Sequence, residues 1–155
     1  MAACHNPAMP DFRIARSLGM GLACWLVLLP ACAGESAWTA SRTSTGLHTL
    51  QAEVVVSYAP TVGDPRPGPG ARVTRVHAAR RYAGDALVAT RLCWRSVQGP
   101  CIELRGTQIE THAFDGLAPE GPFLLVHRAL NWVRTPPPLF IPGSVTVWFS
   151  NDSSR

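Results

Sequence analysis

Residues 91–105 read Arg91-Leu92-Cys93-Trp94-Arg95-Ser96-Val97-Gln98-Gly99-Pro100-Cys101-Ile102-Glu103-Leu104-Arg105, two alternating arms on either side of a turn-rich centre. Setting Cys93 against Cys101 also sets Leu92 against Ile102 and Arg91 against Glu103. In that register the cysteines and the Arg/Glu pair share one face, while Leu92, Ile102 and Leu104 share the other, as the two-residue period of a strand requires. Opposed residues of an antiparallel pair have Cα atoms roughly 4.5–5.5 Å apart, within reach of a cystine. The stretch therefore predicts a β-hairpin closed by a Cys93–Cys101 disulfide.

The pattern extends in both directions from this hairpin. Upstream, Gly84-Asp85 turns the chain into its first arm, whose buried face continues back through Val88 and Thr90. Residues 72–82 predict a strand, placed by its arginines at a solvated or edge position. Residues 59–70 hold four prolines and three glycines and are expected to be a mobile loop. Residues 51–58 alternate as a strand, with Ala52, Val54, Val56 and Tyr58 on one face. The Ser/Thr-rich residues 34–49 read as a loop with a short edge strand, and Trp38 as a core aromatic.

Downstream, residues 107–114 form a short strand that stops at the Asp115-Gly116 turn signal. Residues 123–130 are apolar on both faces apart from His127 and Arg128, the mark of a central strand. Pro136-Pro137-Pro138 enforces an extended, ladder-free connector before Val145, Val147 and Phe149 alternate with Thr146 and Trp148 in the last strand. No segment after residue 33 has a helical apolar period. About seven short strands with Pro/Gly-rich turns predict an all-β chain, an antiparallel β-sandwich spanning residues 34–155.

The first thirty-three residues read as an export signal. Arg13 and Arg16 form a positive start, residues 18–29 an apolar core, and Pro30-Ala31-Cys32-Ala33 a small-x-small site with cleavage after Ala33. A lipidated Cys32 is the alternative, since Leu29-Pro30-Ala31-Cys32 is loosely a lipobox, though proline fits that box poorly. The uncharged run of residues 17–34 contains three glycines, a proline and a serine, so a retained transmembrane anchor is not expected. Cys4, Cys24 and Cys32 fall within the signal, leaving Cys93 and Cys101 as an even pair in an oxidising compartment.

Charge and residue chemistry argue against several function classes. The chain carries 14 basic residues, all arginine, against 10 acidic ones, and only Arg80-Arg81 are adjacent; a nucleic-acid binder usually clusters its cations. No G-x-S-x-G elbow is present, and His48, His77, His112 and His127 are too dispersed in sequence to suggest a metal site or an enzyme; no cofactor is expected. Thr111-His112-Ala113-Phe114 is the one compact cluster, and the bland reading of it is a strand end with a hydrogen-bonded imidazole.

An ordered set of motifs carries a family resemblance. Gly34-Glu35-Ser36-Ala37-Trp38 after a signal, Arg80-Arg81-Tyr82, the two cysteine arms, Thr111-His112-Ala113-Phe114 and the stretch from Ile141-Pro142 to Val147 together resemble the flagellar protein FlhE family. The family's cysteine loop is shorter, and the Pro-rich residues 59–70 are particular to this chain. The resemblance implies a chaperone-like β fold and a periplasmic accessory of the flagellum. By the same resemblance its partner is the flagellar type III export apparatus or another basal-body component, and its action restrains proton leakage and affects swarming. Thr111, His112 and Phe114 are the expected partner contacts, because the resemblance falls there and the segment ends at a turn that can display side chains. A rival class is a cell-envelope carbohydrate-binding sandwich with Trp94, Trp132 or Trp148 as stacking platforms.

Overall fold

The computed structural model describes residues 34–151 of the 155-residue chain. The expected signal peptide, its cleavage site and Cys32 lie outside the described residues. Eight strands follow in order: β1 (Glu35–Thr43), β2 (Glu53–Tyr58), β3 (Arg72–Arg80), β4 (Leu87–Trp94), β5 (Cys101–Glu103), β6 (Gln108–Thr111), β7 (Phe123–Asn131) and β8 (Pro142–Ser150). They form two four-stranded antiparallel sheets, β1-β8-β3-β6 and β2-β7-β4-β5. The architecture is the expected sandwich, with one strand more than the seven read from the sequence.

The connections decide where the two ends of the sandwich lie. Only the β4–β5 hairpin stays within one sheet; every other connection crosses to the opposite sheet. The β1–β2, β3–β4, β5–β6 and β7–β8 connections therefore gather at one end, and the β2–β3, β4–β5 and β6–β7 connections at the other.

Residues 35–43, expected to be mostly loop, form a nine-residue edge strand paired with β8 along its whole length. Trp38 and Ala40 point inward while Thr39, Ser41 and Thr43 face solvent, so the polar composition hides a regular two-residue period. β3 also departs from expectation. It lies between β8 and β6 and is not an edge. A register shift between Val73 and Arg75 moves the inward set to Val73, Val76 and Ala78, leaving Arg75 on the outer face. Residues 59–70 form no strand; Thr61 N–H donates to the Asp64 carboxylate at 2.7 Å within the loop, and Gly68 N–H reaches Asn151 Oδ1 at 2.9 Å.

The hairpin has the expected register, with Arg91, Leu92 and Cys93 opposite Glu103, Ile102 and Cys101. Cys93 and Cys101 are disulfide-bonded with Cα atoms 4.1 Å apart. Leu92 enters the main core, whereas buried Cys93 packs with Leu124 and Val126 on the outer face of the sheet. β7, flanked by β2 and β4, is the central strand that its two apolar faces predicted. β8 begins at Pro142, where the missing N–H is tolerated as the first residue of a strand.

The core has two parts. The larger joins Trp38, Tyr58, Phe114, Phe123 and Phe149 with aliphatic residues from both sheets. The smaller, Leu47, Ala86, Val88, Ala129, Leu139 and Ile141, lies under the four crossing connections. Gly143 permits close packing near the larger core, because a Cβ there would come within 2.6 Å of the Tyr58 hydroxyl and 2.9 Å of Leu125.

Candidate functional site

β6 is only four residues long and ends at Thr111. The chain then turns over residues 112–117, where Asp115 N–H donates to His112 O at 3.1 Å and Leu117 N–H to Phe114 O at 3.2 Å. This turn is fastened to the start of β3 by reciprocal bonds, Val73 N–H to Leu117 O at 2.9 Å and Gly116 N–H to Val73 O at 2.9 Å. The bulge in β3 and the turn after β6 are thus one unit.

Thr111, His112 and Phe114 have separate places in this unit. Thr111 is half-buried, and its hydroxyl accepts the Ala113 N–H at 3.1 Å. His112 is exposed; its Nδ1 lies 2.8 Å from Thr74 O and 3.0 Å from Asp115 Oδ2. Both neighbours are acceptors, so Nδ1 carries a proton and donates to them. Phe114 is 1% exposed and meets Phe123 edge-to-face at 5.3 Å. The expectation that Phe114 contacts a partner is corrected: the turn rotates its ring into the core, where burying an aromatic is favourable.

Trp38 is the other motif aromatic, and it reaches the same neighbour. Its ring lies 6.2 Å from Phe123, and its Nε1–H donates to Pro119 O at 3.3 Å. Two motif stretches distant in sequence therefore meet on one core phenylalanine.

Beside His112 the outer face of the first sheet is charged. Arg75 lies over the Trp148 ring at 4.1 Å and pairs with Glu110 at 3.3 Å and Glu35 at 3.8 Å. Glu35 also accepts a hydrogen bond from the Thr74 hydroxyl. His112, Arg75, Glu35 and Glu110 give this surface both donors and acceptors, whereas half-buried Thr111, opposite inward-facing Val76, lies on the other face of β6. Among the described residues no group of three metal-ligating side chains converges.

The tryptophans proposed as sugar platforms are engaged in packing. Arg75 covers Trp148; Trp94 packs on the main core with Arg95 over its ring at 4.5 Å; Trp132 packs against the smaller core.

One polar group inside the sandwich was not singled out from the sequence. His127 is fully buried, with Nδ1 2.9 Å from the Thr90 hydroxyl and Nε2 unpartnered. Burial, with Arg80 adding to it, lowers its pKa to about 4, so the imidazole is neutral at pH 7. Arg80 donates through Nη2 to Val88 O at 3.0 Å. The available signal was a histidine at an inward position of an otherwise apolar strand.

No protein-family model matches the sequence, and no curated protein matches it. Among solved structures, the chain is similar to the crystal structure of FlhE, with a TM-score of 0.59 and 23% identity over 76% of this chain and 98% of that one. A chain of Desmodium yellow mottle tymovirus aligns at a TM-score of 0.33 and 10% identity over 96% of this chain and 98% of that one, too slight a likeness to carry an argument. The fold is FlhE-like.

Proposed function

We propose that this protein is a periplasmic accessory of the flagellum, exported by cleavage after Ala33, which binds a periplasm-facing part of the flagellar type III export apparatus and limits proton leakage through it. The observation that carries the reading is the FlhE-like fold, which extends over 98% of the FlhE chain. The place of the shared motifs adds support, because Trp38 and Phe114, from two of them, pack on the same Phe123. Such a protein acts by binding. The contact surface is the exposed side of the β3 bulge and of the turn after β6, with His112 and Arg75 as its polar groups. Phe114 supports that surface from beneath.

The test is deletion of the gene in flagellated and in flagellum-free cells, with cytoplasmic pH recorded after external acidification. Faster acidification only in the flagellated deletion strain is expected, with rescue by the wild-type gene. Equal rates in deletion and wild-type flagellated cells would refute the proton-restraint mechanism.

A further inference from the structure

The end of the sandwich remote from His112 carries a different chemistry. Four connections meet there and three of them interlock: Ser44 N–H donates to Ile141 O at 3.0 Å, Leu47 N–H to Leu139 O at 2.8 Å, and Arg81 N–H to Pro142 O at 3.0 Å. Asp85 joins the β3–β4 connection to the β7–β8 connection through Arg134 and Thr135. With the smaller core beneath it, this end is a preorganised platform.

Apolar side chains nevertheless project from it. Among the described residues, Leu50, Leu87, Leu130, Val133 and Phe140 are exposed at or beside this end, Val55 within β2, and Val62 at the other end. Phe140 is 52% and Val133 53% exposed, and Leu87 56%. Val133 is also held at φ 51°, the left-handed region that a β-branched residue avoids, with its N–H donated to Asn131 Oδ1 at 2.9 Å. A strained backbone that presents an apolar side chain to solvent points to a use for that side chain.

Cations are interspersed among these groups. Arg42, Arg81 and Arg105 are exposed here, and none has a carboxylate partner among the described residues. The carboxylates of Asp85 and Glu53 are already paired, with Arg134 and Arg91. An open groove of about 470 Å³ passes Arg42 and Arg81 and is lined by Ser41, Thr43 and Ser144, with no carboxylate in its wall. The connections at the opposite end hold Asp64, Asp115 and Glu120 against Arg66 and Arg95.

We propose that this end is a docking surface for an anionic lipid membrane, with Phe140, Val133, Leu87 and Leu130 entering the headgroup boundary and Arg42 and Arg81 binding lipid phosphates. Charge complementarity selects the occupant. Dispersed apolar side chains separated by free arginines suit a fluid interface, where each inserts independently and each cation meets a phosphate. A protein partner would instead favour an uncharged, contiguous centre. The inference rests on surface chemistry alone and not on the flagellar reading.

The test is flotation of the exported full-length protein, purified from cells, with vesicles of phosphatidylcholine alone or of phosphatidylcholine with phosphatidylglycerol. Binding is expected only with the anionic vesicles, and it should weaken as salt rises. An arginine near an anionic surface contributes about fivefold in affinity, so Arg42→Glu with Arg81→Glu should lower binding by at least about twentyfold. Val133→Gly removes the apolar side chain and relieves the backbone, so it should reduce binding while the melting temperature stays level or rises. No flotation, equal flotation with neutral vesicles, or full binding by the folded double-arginine variant would overturn the proposal. None of these outcomes involves a flagellum, so they leave the proposed function to its own test.

Discussion

Arg91 Nη2 lies 2.7 Å from Glu53 Oε1 on β2, although the residue facing Arg91 in the hairpin register is Glu103. Val126 of β7 pairs with Val55 on one side and Arg91 on the other, so the ion pair spans the central strand, and Val126 is only 2% exposed. The arginine stem is long enough to cross a neighbouring strand and shield apolar surface on the way.

This geometry predicts the outcome of two double-mutant cycles. Coupling between Arg91→Ala and Glu53→Ala should be about 0.5 kcal/mol, since both side chains are more than a third exposed and solvent screens the pair. Coupling between Arg91→Ala and Glu103→Ala should be indistinguishable from zero. Urea unfolding of the six proteins checks both values.

The Cys93–Cys101 disulfide closes a separation of eight residues, and Cys93 is fully buried. On the chain-entropy argument the bridge contributes about 2.5 kcal/mol. The variant with serine at both positions should melt lower by no more than about 10 °C. Two readily alkylated thiols in native, unreduced protein would contradict the bridge.

Motif residues at the end of β6 should separate by role. Phe114→Ala removes a ring buried against Phe123 and should cost about 3–5 kcal/mol. His112→Ala removes an exposed staple between the turn and Thr74 and should cost no more than about 1 kcal/mol. Under the proposed function the His112 variant remains folded yet fails to restore slow acidification, which thermal melts beside complementation would reveal.

His127 makes stability fall in acid. Its folded pKa of about 4 lies below the ordinary histidine value of 6.5, so the unfolded chain binds the extra proton first as pH drops. The contribution is whole above pH 6.5, declines as pH falls toward 4 and is lost below it. Between pH 7.5 and 5 the loss should be about 2 kcal/mol. His127→Gln should flatten this slope, measured as unfolding free energy against pH.

Gly143 is predicted to tolerate no side chain. An added methyl would meet the Tyr58 hydroxyl and Leu125, both fixed in the core, so Gly143→Ala should destabilise by about 1–3 kcal/mol. Combining it with Tyr58→Phe, which withdraws the closest atom, should recover part of the loss in a thermal melt.

Features that depend on local period were legible in the residue order. Alternation around Cys93 and Cys101 specifies the hairpin register, because a slip of one residue would turn Leu92 out of the core. The two apolar faces of residues 123–131 likewise specify a central strand, and Pro-rich turns specify short strands in place of helices. The sequence also carried the resemblance to FlhE. Features that depend on groups meeting from distant parts of the chain emerged only on folding. Pairing with both β6 and β8 made an internal strand of a segment whose arginines suggested an edge, and pairing with β8 made a strand of the Ser/Thr-rich residues 35–43. Phe114 became core because the turn after Thr111 rotates it toward Phe123. Arg91 chose Glu53 over its register partner for a similar reason: its reach is set in three dimensions, whereas period assigns only a face.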